Sequence, residues 1–398
     1  MHKYVFWLGT NTELSRLELF NVLARNTVPY RTVSSHERYV MIESKKELKN
    51  HFIDQLGGVD RIGKVVGQQK KIWDAQAMSE TLPPTDKKMM VGLSKFNLPQ
   101  INLVRLAKDL KKLSRQVGIK LNYVVPQGRT ERLNAAQVLF NSLYKLPNAE
   151  LTIWSDNDDY YIARTEQVQD IQAYEKRDTS RPERDAKVGL LPPKLAQIML
   201  NLIPNTSECL TIYDPFCGMG TLLQEGWLMG HKMIGSDISE RMVYACTANL
   251  QWIADNFPVN IQLAPKIFIH DVSQSFPSNE IKECDAIVTE PYLGPPQLAP
   301  QSTTEALKHH HTLIVLYRKL FINIKPILKQ NGWIVIILPA IVNQDRKQGS
   351  LTLFPREFID EVETIGYSFK QFGKKAKGII YARPDAIVAR EITVWQKK

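Results

Sequence analysis

The feature that most constrains this chain is the turn Y-D-P-F-C-G-M-G-T at 213–221, which separates an apolar run from a helical one. Before it, L-T-I-Y (210–213) reads as a buried strand. After it, T-L-L-Q-E-G-W-L-M-G (221–230) reads as a helix stopped by glycine. The same alternation runs on both sides. Helices are expected at 191–203 (after a proline start), 240–250 and near 304–329; strands are expected at 232–237, 266–271 and 284–290, and from Gly332 onward. Strand and helix in turn from about 185 predict an α/β, doubly wound, Rossmann-like sheet with mostly parallel strands. G-Y-S-F-K-Q-F (366–372) and A-I-V-A-R-E-I-T-V-W (386–395) depart from the alternation and predict an antiparallel hairpin at one edge, joined by a Lys/Gly-rich link.

In an open parallel sheet, ligands bind where a strand's carboxyl end turns into a helix. Gly218 and Gly220 would let the backbone approach a ligand closely. The turn is not a dinucleotide fingerprint, because 218–223 reads G-M-G-T-L-L, and no G-K-S/T follows to make a phosphate loop. Asp214 would repel a phosphate but suits an ammonium group. Asp237 ends the next strand and is placed for the two hydroxyls of a ribose. Asp271 ends the third and is placed for an adenine amino group. An amino-acid-bearing, adenosine-containing ligand without phosphate is S-adenosylmethionine, with Pro215 and Thr221 completing the turn that holds it. Cys217 reads as a small packing residue.

The fourth strand, C-D-A-I-V-T-E, leads into T-E-P-Y-L-G-P-P (289–296). An exocyclic amine on a base is a poor nucleophile because its lone pair is drawn into the ring. A side-chain acceptor for its hydrogens restores that lone pair and aims the nitrogen. Glu290 is the candidate acceptor, Tyr292 the stacking platform and Pro291 the rigid link between them. Gly294-Pro295-Pro296 resets the loop. Thr289 reads as a strand residue. His309, His310 and His311 cannot share one helix face, so they read as surface residues rather than a metal site, and no metal is expected.

The formal net charge of +10 is uneven: the first 150 residues hold 24 of the 51 Lys+Arg but only 13 of the 41 Asp+Glu. That excess points to a polyanion partner. In the helical stretch 104–116, Lys108, Lys111, Lys112 and Arg115 fall on one face, as an RNA-binding stripe or as a merely solvated surface. The cysteines at 209, 217, 246 and 284 form no CxxC pair, which argues against a zinc site or disulfide framework and for a reduced compartment. The first apolar run is too short for a signal peptide, and W-I-V-I-I-L-P-A-I-V (333–342) is too short to cross a membrane.

The stretches 8–20, 53–64, 91–96 and 133–143 resemble the ferredoxin-like and THUMP modules of THUMP-containing tRNA methyltransferases. K-R-D-T-S-R-P-E-R-D-A-K-V-G-L-L-P-P-K-L-A-Q-I-M-L-N-L (176–202) resembles the segment leading into their catalytic domain, and D-P-F-C-G-x-G-T occurs in enzymes that methylate exocyclic amines. The whole is most similar to the tRNA guanosine-10 N2-methyltransferases. The resemblance implies a ferredoxin-like and THUMP RNA-binding region at 1–165, a linker at 166–185 and a class I methyltransferase domain at 186–398, with tRNA as partner, no membrane and a cytoplasmic setting. The family usually shows D-P-P-Y-G where this chain has Glu290-Pro291-Tyr292. Other readings stay open: a tRNA-binding protein without turnover or dependent on a small activator subunit, and a methyltransferase of another RNA or DNA amino group.

Overall fold

The run I-V-I-I-L at 334–338 is wholly buried, in a strand that also has hydrogen-bonded neighbours on both edges. Buried on both faces, such a strand shows no polar alternation. The computed structural model describes all residues except 186–189, 205–208, 278, 296, 298, 345–350, 372–377 and 383–385. Pro296, the first residues of the expected 186–398 domain and most of the Lys/Gly-rich link therefore lie outside the described residues; the described part of that link, Ile379–Tyr381, is a strand rather than a connection. Two units divide the chain: Met1–Leu19 with Thr27–Ala173, and Phe20–Asn26 with Tyr174–Lys398.

The first unit is built on β1 (His2–Leu8), α1 (Thr12–Arg25, in part), β2 (Tyr30–His36), β3 (Tyr39–Ser44) and β4 (Val59–Gln69). It continues through α2 (Ala75–Ser79), β5 (Met89–Phe96), α3 (Leu103–Gln116), β6 (Leu121–Val124), α4 (Ala135–Phe140), β7 (Ala149–Asp156), β8 (Asp159–Val168) and the start of α5 (Ile171–Thr179). One sheet runs β2-β3-β1-β4-β8-β7-β5-β6. Its interior is held by polar as well as apolar groups. Glu18 accepts from the backbone N–H groups of Gly57 and Gly58, both at 2.8 Å, and so joins two of the quoted stretches. A Cβ on Gly58 would come within 2.9 Å of the Ser15 backbone, so the approach needs glycine.

Deeper in the same unit, Glu150 pairs with Arg61, accepts from Ser94 (2.7 Å) and accepts from Thr165 (2.8 Å). Arg61 also donates to the Leu133 carbonyl at 2.7 Å. Burial alone would raise the Glu150 carboxyl, but Arg61 and the two hydroxyls outweigh it and hold it below its usual value. Helix α3 begins on Asn102, whose side chain accepts from Arg105 N, and buries Leu103, Leu106, Ala107 and Leu110. Its other face leaves Lys108, Lys112 and Arg115 exposed; Lys111 is half-buried and donates to Asn122 at 3.3 Å.

Apart from Phe20–Asn26, the second unit begins inside the polar stretch read as a linker. Residues 171–179 are helical, and Tyr174 and Arg177 are buried. Arg177 holds both oxygens of the buried Glu225, at 2.7 and 3.1 Å. A helix anchored by an ion pair and a single ring gives no apolar period to read. Then come α6 (Pro193–Asn201), β9 (Thr211–Asp214), α7 (Thr221–Leu228), β10 (Lys232–Asp237), α8 (Glu240–Asn256), β11 (Lys266–Ile269) and β12 (Cys284–Thr289). They are followed by α9 (Thr303–Ile324), β13 (Leu328–Val342), β14 (Leu351–Thr352), α10 (Arg356–Ile365), β15 (Tyr367–Lys370), β16 (Ile379–Tyr381) and β17 (Val388–Lys397).

Their sheet runs β11-β10-β9-β12-β13-β17-β15, with parallel pairing from β11 to β13 and antiparallel pairing beyond. The expected doubly wound sheet and its antiparallel edge are both present. Chain order reverses at β9, between β10 and β12, which is the switch point where such sheets bind ligands. Among the described residues no helix is long and apolar enough to cross a membrane.

Candidate active site

Asp214 ends β9 and is 2% exposed. One of its oxygens accepts from the Thr289 hydroxyl at 2.7 Å and from Phe216 N at 3.1 Å. Burial pushes its carboxyl up to about 7, and the charges of Asp237 and Glu290 add to the rise. Carboxylates at the ends of three neighbouring strands thus share one electrostatic environment.

The turn that follows is fixed by backbone. Gly218 has φ +48° and donates its N–H to Asp237 at 3.0 Å; a Cβ there would meet nothing within 4 Å. Gly220 has φ +85°, and a Cβ there would lie 2.5 Å from the Cys246 sulfur. Gly218 therefore leaves open space above the turn, while Gly220 lets the turn pack on α8. Asp237 ends β10; its second oxygen accepts from Ser239 N at 2.9 Å, and partial burial raises its carboxyl. Cys217 and Pro215 are buried. Beneath the turn, Asn249 donates to the Met219 carbonyl (3.0 Å) and exchanges hydrogen bonds with the backbone of Glu183. Arg181 donates to the Thr221 hydroxyl at 2.8 Å. The R-P-E stretch at 181–183 is thereby stapled to the glycine turn.

The acceptor corner follows β12. Pro291 is buried and Tyr292 is 55% exposed. The Tyr317 hydroxyl, from α9, donates to the Tyr292 carbonyl at 2.8 Å. Gly294 has φ +101°, and a Cβ there would overlap the His309 ring, whose Nε2 lies 3.3 Å from the Leu293 carbonyl. Glu290 has one oxygen 2.6 Å from Arg390 Nε, and the two side chains are 14% and 16% exposed. Its other oxygen carries no bond among the described residues.

Asp214, Gly218, Asp237 and Glu290 are therefore gathered at one end of the sheet. Asp271 lies two residues beyond β11 rather than at its end, and both its oxygens accept from Ser273, from the N–H at 2.8 Å and the hydroxyl at 2.9 Å. The lysines and arginine of α3 belong to the other unit. The surface reading of the histidine run needs correction. His311 is exposed, but His310 is fully buried against Phe354 and burial pushes it down to about 4. It lies on the same helix stripe as Ala306, Leu313 and Tyr317, so helical phase overrode polarity. Among the described residues no group of three His, Cys, Asp or Glu is arranged to hold a metal.

Sequence reasoning missed Thr289 as a bridge and Arg390 as a partner. It also missed Ile238, which follows Asp237 and is 67% exposed. Ile238 could have been found as an apolar residue directly after a strand-end acid.

Residues 181–345 match the UPF0020 family, described as an RMKL-like methyltransferase domain. The chain is 37% identical over 119 residues to the tRNA (guanine(10)-N2)-dimethyltransferase of Pyrococcus abyssi, covering 30% of this chain and 33% of that protein. It is 28% identical to the enzyme of the same name from Methanocaldococcus jannaschii over 47% of this chain and 48% of that one. The matches thus span a third to a half of these curated relatives. The protein named "Probable tRNA (guanine(10)-N2)-dimethyltransferase" of Methanothermococcus thermolithotrophicus is 31% identical over 38% of this chain and 83% of its own length. The crystal structure of TrmN from Thermus thermophilus shares the fold over both full chains, with a TM-score of 0.55 at 13% identity. On the identity and coverage of the Methanothermococcus relative, this chain belongs to the tRNA guanine-N2 methyltransferase family.

Proposed function

We propose that this protein transfers methyl groups from S-adenosylmethionine to the exocyclic N2 of a guanosine in tRNA, with guanosine-10 the first candidate. The observation that carries this reading is the meeting of the glycine turn, Asp214 and Glu290 at the switch point, with Thr289 bonded between the two halves. The residues fit the cofactor. A carboxylate raised by burial, and further by like charges, is relieved by a cation, and Gly218 leaves room for a ligand on the backbone.

Bound S-adenosylmethionine supplies a methyl group on a positively charged sulfur. Asp214 would hold its ammonium group, and Pro215, Gly220 and Thr221 would shape the turn that carries it. Asp237 accepts from the glycine turn and from its own loop, Asp271 accepts twice from its own loop, and both keep further lone pairs for ribose hydroxyls and an adenine amino group. Ile238 offers an apolar edge to the flat ring. Glu290 accepts a hydrogen of the target amine on its free oxygen, restoring the nitrogen lone pair and fixing its direction. Tyr292 stacks on the base, worth ~1–3 kcal/mol. The first unit, as the ferredoxin-like and THUMP region, grips the tRNA with Lys108, Lys111, Lys112 and Arg115 on α3, a contact that weakens as salt rises.

Transfer of labelled methyl to unmodified tRNA transcripts, followed by nucleoside analysis, tests the reading. N2-methyl- or N2,N2-dimethylguanosine is the expected product. Label on another nucleoside, on duplex DNA in preference to tRNA, or on nothing overturns it.

A pH effect follows from Asp214. Its raised carboxyl is partly protonated in the free protein near neutrality, and an ammonium ligand binds the ionised form. Affinity for S-adenosylhomocysteine, which keeps the ammonium group, is expected to rise from pH 5.5 to 7.5. That range lies below the pH where even a peptide α-amino group loses its proton, about 7.7–8.0, and the free carboxylate beside the ligand's ammonium holds its proton higher still. Titration calorimetry across this range checks it, and Asp214→Asn should flatten the dependence.

A further inference from the structure

We infer that Arg390 is the residue that positions Glu290 for methyl transfer, and that it makes the longer acid workable in this corner. The inference rests on the methyl-transfer reading above. Arg390 lies on β17 in register with Pro339 of β13, and β13 separates β17 from β12, the strand that delivers Glu290. The guanidinium thus reaches across one strand to place its Nε 2.6 Å from Glu290 Oε1, between residues 100 apart in sequence. Both side chains are nearly buried, where an ion pair is screened far less than at a surface.

The geometry divides the carboxylate. Oε1 is held by Arg390, and Oε2 is left for the amine. A glutamate has one more rotatable bond than an aspartate, so its oxygens need an outside anchor to hold one direction. Backbone constraint alone serves a shorter acid; here the charge-assisted bond supplies the missing restraint. Arg390 acts through Glu290 and need not touch the substrate.

The test compares Arg390→Gln and Arg390→Lys with the wild-type protein in steady-state transfer to unmodified tRNA. Calorimetric binding of S-adenosylhomocysteine and the thermal midpoint are measured on each. Wild-type turnover is the control that separates this inference from the reading it rests on. A wild-type protein that turns over no tRNA or DNA fails the reading and overturns the inference with it. Arg390→Gln should lower kcat about 10²-fold, the effect of a misplacement near 1 Å. KM for tRNA and cofactor binding should stay at wild-type values, with at most a small fall in the midpoint, since the pair keeps some exposure to water and glutamine keeps a donor. Arg390→Lys should recover part of the kcat. In a double-mutant cycle with Glu290→Asp, the two losses should not add, because the shorter acid already lets go of the anchor. An Arg390→Gln protein with wild-type kcat overturns the inference. So does one whose lost kcat comes with lost cofactor binding and a lowered midpoint and is not recovered by lysine, since that is a merely structural role.

Discussion

Glu290→Ala is expected to lower methyl transfer to tRNA by about 10²–10³-fold, the usual effect of deleting one preorganised polar group that acts in the transition state. The variant should still bind S-adenosylhomocysteine, because the carboxylates of Asp214 and Asp237 and the glycine turn do not depend on Glu290 for their hydrogen bonds. The loss should fall on kcat rather than on KM for tRNA, since the grip proposed above lies in the first unit and Glu290 in the second. Single-turnover transfer with saturating tRNA reads the chemical step directly. Turnover near wild type would mean that the amine finds its acceptor elsewhere, and the acceptor corner would have to be reassigned.

The second large effect lies far from the chemistry. Glu150→Ala should destabilise the first unit by about 3–5 kcal/mol, because it strands the buried Arg61 as an uncompensated charge. It also takes the acceptor from the Ser94 and Thr165 hydroxyls. Amide hydrogen exchange of β7 and β8 across a urea series reports this unit, whereas tryptophan fluorescence would mix it with Trp227 and Trp395 of the second. The same carboxylate sets an acid limit. Its folded-state value lies below the ordinary glutamate value of about 4.3. The stability it contributes is therefore present in full above that value and is lost as pH falls through the lower, folded one. A variant with an unchanged urea midpoint would show that the network is not what holds these strands together.

The second unit was legible in the sequence where local pattern carries the information. The turn at 213–221 could be read because glycines, a leading acid and flanking apolar periods are all local signals, and β9, α7, β10 and β12 lie where those signals put them. Strand ends were less exact: β11 stops at Ile269, two residues before the acid expected to end it. There D-V-S at 271–273 closes a short side-chain-to-backbone turn, which an alternation argument passes over. Pairings between distant segments left no local trace. Arg390 stands in A-I-V-A-R-E-I-T-V-W as a cation amid apolar residues, which signals that it needs a partner but not that the partner is Glu290. Thr289 looked like any β-branched strand residue. The burial of His310 followed from its helical phase, not from its type.

The placement of β17 has a consequence for how this protein is made. Glu290 leaves the ribosome about a hundred residues before Arg390, and β17 is then threaded between β13 and β15 rather than laid on an outer rim. A nascent chain can complete the glycine turn early, while its acceptor carboxylate still lacks its anchor. On the proposed reading the acid's anchor thus arrives late in synthesis, with one strand, and a frameshift shortly before residue 388 would remove both Arg390 and the strand on which β13, β15 and β16 pair.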